Sequence, residues 1–135
     1  MKMLKINFLL VDFGFLFYWS ITYFKLIPDE LLFPDYKNPT LVIWNWSFFP
    51  LDLMLSLSGL TSLFLLKHKN EKWKFFALVS LTLTQASGLM AISFWAIQGW
   101  FDLTWWLPNL YLMLYPIPFL IYVSNRHPMP SQAIS

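Results

Sequence analysis

The chain has 135 residues, of which 58% are hydrophobic and only 12% are charged, and its mean hydropathy is +0.55. These values lie outside the range of ordinary soluble domains and indicate an integral membrane protein. Cysteine is absent, which excludes disulfides, thiolate metal ligands and cysteine nucleophiles. Both histidines lie outside the apolar stretches and no phosphate-binding loop motif occurs, so we expect neither a metal nor a cofactor.

Four apolar stretches follow one another along the chain, each near or above the ~20 residues that cross a bilayer. They cover residues 6–27, 40–66, 75–98 and 103–123. Because short connections favour antiparallel neighbours, we predict an all-α fold, an integral membrane four-helix up-down bundle that forms a single domain over residues 1–135. The few glycines form no small-xxx-small pairs, so we expect bulky side chains to do the packing.

Basic residues cluster at one end of the predicted bundle. Two lysines precede the first helix, a lysine-rich link spans residues 67–74, and Arg126 follows the fourth helix. By the positive-inside rule these ends face the cytoplasm, so both termini are inside and residues 28–39 and 99–103 are outside. The anionic lipid surface explains the basic link better than nucleic acid does. The expected partner is therefore the lipid bilayer, not nucleic acid.

A carboxylate, Asp52, lies near the centre of the second stretch. A central aspartate costs about 2.5–3.5 kcal/mol on insertion scales, so we expect Asp52 to face protein or water. Asn45, Ser56 and Gly59 share its helix face at helical spacings. The second helix therefore carries a narrow polar stripe.

Other helices offer partners for this stripe. Gln85 and Asn109 lie at similar depth in the third and fourth helices, which predicts a shared polar centre. Trp19 and Trp95 lie several residues inside their helix ends and are candidates for lining a cavity. Asp12, in the inner third of the first helix, either snorkels to cytoplasmic water or has a functional role. The candidate ligand-binding residues are Asp52, Asn45, Ser56, Gln85, Asn109, Trp19, Trp95 and Asp12, with no metal ligand among them.

Prolines occur in the second and fourth stretches. Pro50 lies two residues before Asp52, and Pro116 and Pro118 lie in the fourth stretch. Proline removes a backbone donor, so we expect both helices to bend or loosen near the middle of the bilayer. A bent bundle with aromatic walls and a few convergent polar groups is typical of a small-molecule site.

Two family resemblances follow from these residues. The run "YWSITYFKLIPDELLFPDYKNPTLVIWNWSFFPLDL" resembles the small, uncharacterised YvaD-like membrane proteins of Bacillus relatives, which implies a bacterial plasma-membrane protein but no activity. The layout is also similar to the EXPERA group, which includes the sterol Δ8–Δ7 isomerase (emopamil-binding protein) and the sigma-2 receptor. The shared features are four helices, a link of the form "IPDELLFP", a carboxylate in helix 2, and a fourth helix rich in Tyr and Pro.

Only a few residues carry the EXPERA resemblance. Asp52 lies where that group keeps a glutamate after an aromatic run, and Pro28, Glu30 and Leu31 match its link. The ligand-binding acid of the sigma-2 receptor would fall near Thr22, and the membrane histidine of the isomerase has no counterpart. The resemblance therefore implies binding of a hydrophobic or amphiphilic molecule rather than isomerase chemistry.

The function we expect is binding of a lipid, isoprenoid or cationic amphiphile in an aromatic-lined intramembrane cavity centred on Asp52. Three alternatives stay open. A proton-coupled small multidrug-type exporter would use an acid in the first helix, such as Asp12, and allows a homodimer of parallel chains. A lipid isomerase would use Asp52 to move a proton, and an accessory subunit would turn its polar stripe to a partner helix. Whether the protein is an enzyme is left open.

Overall fold

The computed structural model describes residues 1–127, and the last eight residues of the predicted domain, 128–135, lie outside the described part. Its helices are α1 (Lys2–Tyr23), α2 (Pro39–Lys67), α3 (Trp73–Gln98), α4 (Leu103–Leu114) and α5 (Pro116–Ser124), with a short 3₁₀ turn at Asp29–Leu31. Residues 1–127 contain no strand. Helices α1, α2 and α3 and the combined span Leu103–Ser124 are each long and apolar enough to cross a membrane. For the described residues, the predicted all-α architecture with four helical segments of membrane-spanning length is confirmed.

The first helix lies earlier in the chain than the predicted residues 6–27. It begins at Lys2 because a lysine at a helix end can lay its stem along apolar surface while its ammonium group reaches water. It ends at Tyr23, and Lys25 then adopts a φ of 56°, which turns the chain before Pro28. The other span boundaries lie within two residues of those predicted.

The prolines have different effects in the second and the fourth membrane-length spans. Helix α2 runs unbroken through Pro50. The fourth span divides at Tyr115, and Pro116 opens α5, a first-turn position where the missing N–H has no intrahelical partner to lose. The expected loosening is therefore found at Pro116, whereas α2 remains one continuous helix.

Hydroxyl groups tie α2 to α3 along their contact. Ser62 Oγ donates to the carbonyl of Trp73 at 2.9 Å, and Ser80 Oγ donates to the carbonyl of Leu55 at 2.8 Å. Both serines are completely buried. Small polar side chains allow the two backbones to approach because they add little volume and satisfy the carbonyls that they meet.

A glycine brings α3 against α4. A Cβ placed on Gly88 would lie 2.7 Å from the carbonyl oxygen of Asn109 and 2.9 Å from the carbonyl carbon of Leu112. These are backbone atoms, so the two helices meet at nearly the closest distance that a helix pair allows. The expectation that bulky side chains do the packing is therefore wrong for these contacts, because serine and threonine supply small residues as well as glycine does.

Candidate functional site

The carboxylate of Asp52 lies inside the bundle and accepts hydrogen bonds from two other helices. Trp19 Nε1 of α1 donates to Oδ2 at 2.9 Å, and Ser87 Oγ of α3 donates to Oδ1 at 2.9 Å. Only 3% of the residue is exposed. Since both carboxylate oxygens have a donor, the polar group that the sequence places in the middle of α2 is satisfied by its neighbours.

Asp12 lies on the same α1–α2 contact, two helical turns from Trp19. Asp12 and Trp19 are seven positions apart on α1, and Gly59 and Asp52 are seven positions apart on α2. Trp19 meets Asp52, and the carboxylate of Asp12 packs on Gly59. The α1–α2 contact therefore holds two carboxylates at two levels, roughly 10 Å apart by helix rise.

A cavity of about 480 Å³ lies beside Asp52. Its wall comes from α1, α2, α3 and α4 and from the connection between α1 and α2, and most of its lining side chains are aliphatic or aromatic. The hydroxyl, amide and carboxylate side chains on the wall are Tyr18, Asn45, Asp52, Ser87, Thr104, Asn109 and Tyr111. This volume and this composition are typical of a small-molecule site.

The connection of residues 24–38 closes one end of the cavity, and we call this segment the cap. Leu31 of the cap lines the cavity, and its carbonyl accepts a hydrogen bond from Trp105 Nε1 at 3.0 Å. Phe33 is buried, with its ring centre 5.9 Å from those of both Trp95 and Trp105. The cap is thus held on the bundle by aromatic contacts and one hydrogen bond.

The side of the cavity between α1 and α4 is the least tightly packed. Close helix contacts link α1 to α2, α2 to α3, and α3 to α4 and α5, with no comparable contact between α1 and α4. Gly14 of α1 lines the cavity, and a Cβ placed on it would meet no atom within 4 Å. Tyr111 of α4, which also lines the cavity, donates a hydrogen bond to Asn7 of α1. The cavity therefore occupies the space that a tighter four-helix bundle would fill.

A second cavity, of about 530 Å³, lies on the other side of the Trp19–Asp52 contact. The two cavities have three lining residues in common, Phe15, Trp19 and Asp52. The second one is otherwise bounded by α1 and α2 alone, apart from Phe24 of the cap. The indole of Trp19 and its hydrogen bond to Asp52 therefore form part of a wall between two apolar spaces.

The structure separates the residues that the sequence singles out into two groups. Five of them line the cavity of about 480 Å³, namely Asp52, Asn45, Asn109, Trp19 and Trp95. Three do not, namely Ser56, Gln85 and Asp12. Ser56 is fully buried within the bundle. Asp12 has no exposed surface, so it does not snorkel toward the bundle end.

Ser87 takes the place that the sequence suggests for Gln85. The two residues differ by two positions on α3, which turns them to different faces because each helical residue rotates by about 100°. The sequence contains a signal for the correct face, since Ser80, Thr84, Ser87 and Ala91 recur at spacings of four, three and four, and all four are buried. Tyr18 and Gly14 are two further lining residues that polarity alone does not reveal.

The cavity can enclose an apolar body and present one carboxylate to it. Residues 1–127 bring together no group of three or more His, Asp or Glu side chains that could hold a metal ion. Among the same residues, the side chains that hydrogen-bond to Asp52 are Trp19 and Ser87, and neither is a ready proton carrier. The site thus consists of a largely apolar space with one partnered carboxylate on its wall.

Four membrane-length helices around a largely apolar cavity define the chain as a multi-pass α-helical membrane protein. It belongs to a family described as a family of unknown function (DUF5360), whose profile matches residues 4–128. It is also similar to the uncharacterized protein YvaD of Bacillus subtilis (strain 168), with 48% identity over 120 residues that cover 89% of this chain and 90% of the relative. The resemblance to YvaD-like proteins is thereby confirmed. No solved structure matches the chain.

Proposed function

We propose that this membrane protein binds a hydrophobic or amphiphilic small molecule in the cavity beside Asp52. One observation carries the proposal: a buried carboxylate, held by donors from two helices, forms part of the wall of an otherwise largely apolar space of about 480 Å³. A carboxylate in a membrane helix is expensive and marks a functional site by default. The proposed ligand is a lipid, an isoprenoid or a cationic amphiphile.

The surroundings of Asp52 favour a ligand with a positive or hydrogen-bond-donating end. Each carboxylate oxygen accepts one hydrogen bond and has capacity for another. Within the described residues, the ion pair that forms is between Lys74 and Glu71, far from Asp52 in sequence and outside the cavity wall. Aromatic rings of Tyr18 and Trp19 stand beside the carboxylate, and such rings attract cations. A cationic amphiphile therefore complements the site best.

The resemblance to the EXPERA group stays a prediction, and it implies the same class of ligand because Asp52 lies where that group keeps a glutamate. A lipid isomerase would need a second proton-transfer group near Asp52, and Trp19 and Ser87 do not provide one. Export and an accessory role stay predictions, to be separated by drug-accumulation assays and copurification. The up-down topology, a bacterial plasma-membrane location with both termini in the cytoplasm, and a homodimer stay predictions too.

Gly14 allows a direct test of the cavity. Gly14→Leu places a side chain in the open space beside Gly14, whereas Gly14→Ala changes the same backbone position and adds only one methyl group. The assay is thermal unfolding of the purified protein in detergent, in the presence of sterols, isoprenoids, fatty acids or cationic amphiphiles. A ligand that binds the folded state stabilises it by about 2.7 kcal/mol at 100 times its Kd.

The expected result is that one chemical class raises the melting temperature of the wild type and Gly14→Ala but much less that of Gly14→Leu. For a cationic ligand, Asp52→Asn should lose most of the stabilisation. Equal stabilisation of Gly14→Leu and Gly14→Ala would show that the ligand binds elsewhere, and no stabilisation by any class would remove the support for a ligand of the proposed kind.

A further inference from the structure

Asp12 is the most completely enclosed ionisable residue on the α1–α2 contact. It has no exposed surface, and neither carboxylate oxygen has a hydrogen-bond partner among residues 1–127. The carboxylate lies directly on the α2 backbone, since a Cβ on Gly59 would be 2.8 Å from Asp12 Cγ. Asp12 does not line either of the two cavities described above. It therefore constitutes a site separate from Asp52.

Helix α3 faces Asp12 with hydroxyl groups that are already used as donors. Ser80 Oγ would lie 2.9 Å from the same Cβ on Gly59, which places this hydroxyl beside the carboxylate. However, Ser80 donates its proton to the carbonyl of Leu55, and Thr84 donates to the carbonyl of Ser80. These α3 hydroxyls therefore have no proton left to give to Asp12.

The remaining neighbours carry no positive charge. Tyr115, at the junction of α4 and α5, is the titratable group that interacts electrostatically with Asp12. On α2, Ser56 lies three positions before Gly59 and is fully buried. Asp52 lies roughly 10 Å from Gly59 along the same helix, by helix rise. Among the described residues, no lysine, arginine or histidine forms an ion pair with Asp12. An ionised Asp12 would thus be an unpaired charge in a membrane-spanning helix.

We propose that Asp12 is a proton-binding site and that the docking of α1 on α2 takes up one proton from solvent. The carboxylate combines with a proton to give a neutral carboxyl group, which removes the cost of an unpaired charge in an apolar interior. A metal ion requires a shell of several oxygen ligands, whereas a proton fits a carboxyl group that packs directly on a helix backbone.

The two carboxylates of this contact then have different states. Asp52 receives a hydrogen bond on each oxygen and is held as an acceptor, whereas Asp12 receives none and is a neutral carboxyl group. Loss of the proton from Asp12 would place a negative charge between α1 and Gly59. The contact that positions Trp19 against Asp52 belongs to the same pair of helices, so it would be weakened by the same event.

Infrared spectroscopy of the purified protein at neutral pH tests the proton directly. A protonated carboxyl group has a C=O stretching band that is separate from the carboxylate bands. We expect this band in the wild type, its loss in Asp12→Asn, and its retention in Asp52→Asn. Asparagine is nearly isosteric with neutral aspartic acid, so Asp12→Asn should fold. Absence of the band in the wild type, its persistence in Asp12→Asn, or its appearance only when sodium is removed would overturn the proposal.

The pH dependence of stability provides a second measurement that does not rely on spectroscopy. The folded state holds a proton that the unfolded chain releases at neutral pH, so the melting temperature of the wild type should fall as the pH rises through neutrality. Asp12→Asn should lose this dependence, and Asp52→Asn should keep it. The same slope in Asp12→Asn and in the wild type would mean that Asp12 binds no proton on folding.

Discussion

Two aspartates on one helix pair show how the surroundings of a residue decide its role. Asp52 and Asp12 are both almost completely buried. Asp52 accepts hydrogen bonds from Trp19 and Ser87, whereas Asp12 has the backbone of Gly59 against it and no donor. The aspartate side chain is thus a hydrogen-bonded acceptor beside a cavity at Asp52, whereas at Asp12 it lies in the core without a hydrogen-bond partner.

The hydrogen bond from Ser87 should contribute measurably to stability. Ser87→Ala removes a donor from a buried carboxylate, which we expect to lower the free energy of unfolding by about 1–3 kcal/mol. In an Asp52→Asn background the loss should be smaller, because the charge that the hydroxyl stabilises is gone. Equilibrium unfolding in mixed micelles of the four proteins of this double-mutant cycle measures the coupling.

Ser80→Ala is a matched control for this cycle. Ser80 lies seven positions away on α3 and donates to the carbonyl of Leu55 rather than to Asp52. Its effect should be the same with and without Asp52→Asn, within about 0.5 kcal/mol, as for independent sites. If Ser87→Ala showed no more coupling than Ser80→Ala does, the Ser87–Asp52 hydrogen bond would contribute nothing to stability.

At the scale of helices, α3 organises the bundle because one of its faces carries small residues. It contacts α2, α4 and α5, and its buried positions include alanine, serine, threonine and glycine as well as two tryptophans at its ends. In a membrane the lipid is as apolar as the helix surface, so close packing and interhelical hydrogen bonds drive association. Small side chains on α3 allow both.

Two glycines in this bundle should respond in opposite ways to the same substitution. In Gly88→Ala the added Cβ meets backbone atoms of Asn109 and Leu112 that cannot move without shifting α4, so we expect a loss of about 1–3 kcal/mol. In Gly14→Ala the Cβ meets nothing within 4 Å, and the helix should gain up to about 1 kcal/mol. Equilibrium unfolding in the same detergent measures the free energy of unfolding of both variants and of the wild type. Equal effects would mean that the close α3–α4 contact does not form.

At the scale of the whole molecule, the cap and the bundle enclose a space that no single helix defines. The cap is held by Phe33 and by the Trp105–Leu31 hydrogen bond. The α2–α3 turn at the other end of these helices carries lysines, and Lys74 there donates to the backbone carbonyls of Arg126 and His127. The lysine-rich end and the capped end are therefore opposite ends of α2. The positive-inside rule relies on such an unequal distribution of basic residues.

The orientation in the membrane can be determined by labelling single introduced cysteines, because the chain has no cysteine of its own. Lys37→Cys lies in the cap and Glu71→Cys in the α2–α3 turn, both at exposed positions, and both changes reinforce the charge bias. We expect a membrane-impermeant maleimide to label Lys37→Cys on intact cells and Glu71→Cys only after the membrane is opened. Labelling in the reverse order would contradict cytoplasmic termini.

The sequence by itself indicates a membrane protein with four helical spans, since it contains four mostly apolar stretches near or above the ~20 residues that cross a bilayer. It also identifies Asp52 as the group that needs partners, because a charge in the middle of a membrane helix is costly wherever the helix packs. The start of α1 and the division of the fourth span depend on local end effects and are predicted less well.

Only the tertiary structure decides which partners Asp52 obtains. Gln85 is the more polar side chain, but Ser87 faces Asp52 because the rotation of α3 is set by its small-residue face and not by polarity. The same holds for Asp12, for which the sequence leaves open either snorkelling to water or a functional role and which the structure places on Gly59. Depth along a helix can be read from hydropathy, whereas rotation about the helix axis is fixed by packing against neighbours, and that rotation determines which side chains meet.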